Sequence, residues 1–94
     1  MRIISRKRLK EFWSTYPDSE KALRAWFSIC KKHSFDNFND IKKIFPSADY
    51  FDDKVIFTIG GNKYRLIVKP QFKIKTFFIK AIYTHKEYDK GKWK

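Results

Sequence analysis

Cysteine, glycine, proline and methionine are all scarce in this chain of 94 residues, which holds one Cys, three Gly, three Pro and one Met. The lone Cys30 excludes an intramolecular disulfide framework and a multi-cysteine zinc site; it fits a reducing compartment, so the cytoplasm is the expected location. So few glycines and prolines leave no linker or low-complexity tract, and no internal repeat is visible. Nowhere do about 18 apolar residues follow one another, as a membrane span requires. The opening Met1-Arg2-Ile3-Ile4-Ser5-Arg6-Lys7 lacks the apolar run of a signal peptide, so a soluble, unexported protein is expected. Negative charge is short as well, with 10 Asp and Glu against 22 Lys and Arg, a net charge of +12.

What the chain does have is aromatic bulk: ten Phe, five Tyr and three Trp. Large rings supply the burial that so short a chain needs, and one domain over residues 1–94 is expected. The positive charge is unevenly placed. Residues 1–16 carry five basic and one acidic group, residues 17–60 seven of each, and residues 61–94 ten and two. A balanced middle between basic ends points to a polyanion or an acidic partner meeting the N-terminal segment and the C-terminal third.

Apolar residues at Leu9, Phe12, Trp13 and Tyr16 follow Ser5 at helical spacing, which predicts an amphipathic helix that Ser5 caps and Pro17 ends. Asp18 or Ser19 then caps a second helix, with Ala22, Leu23, Trp26, Phe27 and Cys30 as its buried stripe and Lys31, Lys32 and His33 at its negative end. A loop over residues 34–39 and one short turn carrying Ile41, Ile44 and Phe45 lead to Pro46. From Val55 the period changes to that of strands. Val55 to Ile59, the turn Gly60-Gly61-Asn62 and Tyr64 to Lys69 read as a hairpin that Pro70 closes. Thr76 to Tyr83 adds a third antiparallel strand, and Arg2-Ile3-Ile4 is a possible fourth. The fold class is therefore α+β, two N-terminal helices packed on a mainly antiparallel sheet. The tail from Lys90 to Lys94 is expected to fray.

Alternation along the strand puts Tyr64, Leu66 and Val68 toward the helices and Lys63, Arg65, Ile67 and Lys69 on the open face. Lys80 interrupts an apolar run, and the cost of burying an unpaired ammonium turns it outward beside them. Just past the last strand stands Thr84-His85-Lys86-Glu87-Tyr88-Asp89, rich in groups that move protons. Cutting RNA through its own 2′-hydroxyl needs a proton acceptor, a proton donor for the leaving 5′-oxygen and cations for the phosphate, and no metal or other cofactor. His85 is the imidazole of the basic third. Arg65 offers a planar fork for phosphate, and Tyr88 can stack on a base, hold the phosphate or assist a proton. Gly60-Gly61-Asn62-Lys63 lacks the spacing of a P-loop, Glu87 and Asp89 sit among cations that favour their charged forms, and Cys30 with His33 makes only two ligands.

Ile3-Ile4-Ser5-Arg6, Leu23-Arg24-Ala25-Trp26, Phe45-Pro46-Ser47-Ala48, Gly61-Asn62-Lys63-Tyr64-Arg65-Leu66 and Thr84-His85-Lys86-Glu87-Tyr88-Asp89 stand in the order seen in the HigB family, and the chain resembles a HigB-type toxin over nearly its whole length. The resemblance implies a RelE-like α+β fold and an mRNA endonuclease, often acting on ribosome-bound mRNA. It also implies a type II toxin–antitoxin module with a helix-turn-helix HigA antitoxin, through which alone operator DNA is bound. Carried onto matching positions, the catalytic residues are Lys63, Arg65, His85 and Tyr88, with Asn62, Lys69 and Lys80 as RNA contacts. The alternatives are a non-catalytic RNA- or ribosome-binding module and, more weakly, a DNA-binding repressor, for which the helices show no recognition surface.

Overall fold

Leu9 and Trp13 are the buried positions of the first helix, α1 (Arg6–Thr15), as its spacing requires. The structure is a computed structural model, described over residues 1–91; the last three residues of the tail expected to fray lie outside the described residues. Ser5 occupies the N-cap position of α1 without a side-chain hydrogen bond. Pro17–Ser19 forms one 3-10 turn, and α2 (Glu20–Lys32) buries Leu23, Trp26 and Cys30. Neither proposed cap of α2 acts as one. The Ser19 hydroxyl donates back to the Tyr16 carbonyl at 2.7 Å, and the Asp18 carboxylate is drawn across to the sheet. The segment expected as a single turn is a third helix, α3 (Phe38–Ile44), capped by Asn37, whose side-chain oxygen accepts from the Asp40 amide at 3.0 Å.

Five strands follow the order β1-β5-β4-β3-β2, with β1 Arg2–Ile4, β2 Asp49–Phe51, β3 Lys54–Ile59, β4 Tyr64–Gln71 and β5 Thr76–Thr84. The meander β3-β4-β5 is the expected one, and β1 does join it, parallel to β5. Edge strand β2 was not expected: three residues are too few to show a period. Pro70 does not close β4. It pairs with Phe77, because there β4 has run past its last partner in β3, Val55 opposite Val68, and a proline's missing donor is tolerated on an unpaired side.

Helices cover one face of this sheet. Val55, Phe57 and Ile59 of β3, Leu66 and Val68 of β4, and Phe77 and Ile79 of β5 pack with Leu23, Trp26 and Phe35 into one core. Trp26 is its centre, edge-on to Phe57 at 5.3 Å and stacked on Phe77 at 6.3 Å. Helix α4 (His85–Asp89) leaves the end of β5. Among the described residues no helix is long and apolar enough to cross a membrane.

Candidate active site

Gly60 and Gly61 both adopt left-handed backbone, φ 64° and 68°, which lets the chain reverse between β3 and β4 within a few residues. The turn and α4 meet at one corner of the sheet. The His85 amide donates to the Lys63 carbonyl at 2.8 Å, so the start of α4 is tied to the hairpin. Thr84 and Glu87 form a capping box: the threonine oxygen accepts from the Glu87 amide at 3.2 Å, and the Glu87 carboxylate accepts from the Thr84 amide at 2.9 Å. Threonine followed three residues later by glutamate was a legible signal for this helix. Glu87 is thereby a structural group, not an acid paired with Asp89.

Four of the seven expected site residues are brought together here. Arg65 donates from Nη2 to the Asn62 side-chain oxygen at 2.7 Å and from Nη1 to the Asn62 and Tyr64 carbonyls, each at 3.2 Å. The same Nη2 stands 3.3 Å from Nδ1 of His85, and the guanidinium carbon lies 5.3 Å from the centre of the Tyr88 ring. A cation held this firmly by the turn is oriented before any anion arrives. His85 is completed on its other side by Asp89, whose carboxylate is 3.0 Å from Nε2. Burial, then the negative charge of Asp49, keeps the Tyr88 phenol above its usual pKa, while Arg65 pulls the other way. Tyr88 is thus a phenol at neutral pH and able to donate.

Asp49 escaped the sequence reading because nothing in its neighbourhood marks a strand. Its register opposite Ile56 sets it on the same face as Arg65. That face is less bare than alternation suggested. Ile56 and Ile67 point away from the helices, yet both are buried, at 3% and 2% exposure, outside the main core.

Lys63 is a correction to the expected row of cations. Strand β4 begins only at Tyr64, so alternation does not reach back to the turn, and the Lys63 ammonium turns to Asp18, 3.3 Å away. The backbone of Lys63 belongs to the corner; its charge is turned to the helical layer. Lys69 does share the open face with Arg65, but four residues along a strand separate them by about 14 Å. Lys80 is exposed, and the register shift between β4 and β5 leaves it without an opposite partner: Ile67 pairs with Ala81 and Val68 with Ile79. Its carbonyl accepts from the Arg8 guanidinium, which places a cation of the basic N-terminal segment beside it.

Elsewhere, Cys30 is a core residue whose thiol is pushed up to about 12 by burial, and the His33 ring bonds the Ile29 carbonyl at 2.8 Å. Among the described residues no three His, Cys, Asp or Glu side chains are grouped to hold a metal. A groove of about 410 Å³ between α1 and β5, lined by Arg8, Phe12, Tyr16 and Ile82 among others, is separate from the Arg65 corner. At the corner the side chains of His85 and Asp89 are 47% and 59% exposed.

The chain is thus a small α+β domain that presents a preoriented guanidinium, an imidazole and a phenol at one sheet corner. A family model described as HigB_toxin, the RelE-like toxic component of a toxin–antitoxin system, matches residues 19–91. The chain is 34% identical over 92 residues to the mRNA interferase toxin HigB of Escherichia coli K12, covering 95% of this chain and 88% of that protein. It is 33% identical over 93 residues to the mRNA interferase HigB of Escherichia coli O6:H1, covering 96% and 90%. The chain belongs to the HigB toxin family. As such a component, it has an antitoxin for a partner.

Proposed function

We propose that this protein is an endoribonuclease that cuts mRNA in the cytoplasm, on the ribosome, without a metal, and so halts translation. What carries the reading is one contact set: the Arg65 guanidinium reaches both the His85 imidazole and the Tyr88 ring on an open, basic face. The relatives' names as mRNA interferases support the substrate. A phosphodiester seated on Arg65 lies beside both groups. His85 takes the proton of the ribose 2′-hydroxyl, whose oxygen attacks phosphorus, and the bond to the 5′-oxygen breaks as that oxygen takes the Tyr88 proton. Arg65 stabilises the charge gathering on the phosphate oxygens. The products are a 2′,3′-cyclic phosphate and a 5′-hydroxyl, and both side chains recover their starting protonation by exchange with water.

Asn62 keeps Arg65 aimed, Lys63 adds charge once it leaves Asp18, and Lys69 and Lys80 hold phosphates away from the cut. A HigA-type helix-turn-helix antitoxin neutralises the enzyme and carries the operator binding. Primer extension on mRNA from cells expressing the chain tests this. New 5′ ends are expected with the native protein and are lost in His85→Ala and Arg65→Ala, at unchanged thermal stability. RNA retained by the native protein with no new ends would make it a binding module instead, and cleavage abolished by EDTA would indicate a metal nuclease.

A further inference from the structure

His85 has a partner of opposite kind on each ring nitrogen. Arg65 can only donate, so Nδ1, 3.3 Å from its Nη2, must present a lone pair. The Asp89 carboxylate can only accept, so Nε2, 3.0 Å away, must carry the proton. One neutral tautomer satisfies both. Histidine followed four residues later by aspartate on an exposed helix is by itself a weak pair. Here, however, the second nitrogen faces the cation that the proposed reaction uses for phosphate.

We infer that Asp89 is a positioning residue: it holds the His85 proton on Nε2 and so leaves Nδ1 as the atom that accepts the ribose proton. This rests on the proposed cleavage and adds the identity of the accepting atom. In the free protein Arg65 covers the Nδ1 lone pair. A phosphate oxygen competes for the same Nη2, and as the guanidinium turns to it the lone pair is uncovered beside the bound ribose. The base is thereby exposed by the substrate it acts on. After transfer both ring nitrogens carry protons, and Asp89 faces an imidazolium it stabilises.

Two measurements test the assignment. Long-range proton–nitrogen NMR of the nitrogen-15-labelled protein, above the usual imidazole titration range, should find His85 protonated on Nε2 in the native chain and in Asp89→Glu. With Nδ1 uncovered by Arg65→Ala, a larger share of the ring should be protonated on Nδ1 in the double variant Arg65→Ala/Asp89→Ala than in Arg65→Ala. A ring protonated on Nδ1 in the native chain, or equal shares in those two variants, overturns the inference. In cells, Asp89→Ala should lower the yield of new mRNA 5′ ends by roughly tenfold or more while crosslinking to mRNA stays as in the native protein. A parallel loss of crosslinking and cleavage would mean that Asp89 only supports the fold. If the native chain leaves mRNA intact, the proposed function fails, whereas the NMR result still decides what Asp89 does to the ring.

Discussion

The carboxylate of Asp18 accepts a hydrogen bond from the Tyr64 hydroxyl at 2.5 Å, joining the turn between α1 and α2 to the first residue of β4 across 46 positions of sequence. Lys63 reaches the same carboxylate at 3.3 Å. The Tyr64 hydroxyl first, and the Lys63 ammonium second, hold the Asp18 carboxyl below its usual value, and the same bond ahead of burial pushes the phenol of Tyr64 up to about 12.

Two pH windows follow from this pair. A carboxyl with a lowered folded pKa contributes stability above its unfolded value and loses it as pH falls through the folded one; a phenol with a raised pKa contributes below its unfolded value and loses it as pH rises toward about 12. Tyr64→Phe should lower the melting temperature by several degrees at neutral pH. That gap should close both in acid, below the usual carboxylate value, and in strong alkali. A gap independent of pH would mean that the lost hydroxyl matters only for packing.

Arg65 supplies geometry as well as charge. Arg65→Lys keeps the charge but cannot bond Asn62 and His85 from one rigid fork, so it should lose roughly a hundredfold or more in cleavage. Melting temperature should stay close to that of the native protein. Primer extension and growth arrest on induction are the measurements, and near-native cleavage by the lysine variant would show that charge alone suffices.

Lys69 stands about two pleats from Arg65, where a single strand would place a later phosphate. Lys69→Ala should weaken binding to a non-cleavable 2′-O-methyl oligoribonucleotide. The slope of log affinity against log salt should become shallower by about 0.7, the value for one phosphate contact on a single strand. Unchanged slope would remove Lys69 from the RNA path.

Trp26 lies between Phe57 and Phe77, and among the described residues its buried indole N–H has no hydrogen-bond partner. Trp26→Ala should cost about 3–5 kcal/mol in urea unfolding. Trp26→Phe should cost clearly less, since it removes an unsatisfied donor along with some volume. Cys30 reports on the same core. With its thiol pushed up to about 12 by burial, it should resist alkylation in the native protein and react readily in the alanine variant.

The amino-acid order by itself determined the two long helices, the hairpin, the strand that follows it and the core positions these carry, whereas Phe35, deep in the core, stands in a segment that reads as a loop. Each of those elements is written in a local period, at Leu9 and Trp13, at Leu23, Trp26 and Cys30, and in the alternation from Tyr64 to Val68. It also singled out Arg65, His85 and Tyr88 as chemically able groups, by residue type and basic setting. Local pattern could not reach contacts between distant segments. The turning of Lys63 to Asp18, the approach of Asp49 to Tyr88 and the strand register that leaves Lys80 unpaired are set by which surfaces meet. Only the tertiary structure decided that one guanidinium touches both an imidazole and a phenol, because strand pairing carries β4 and the end of β5 to the same corner.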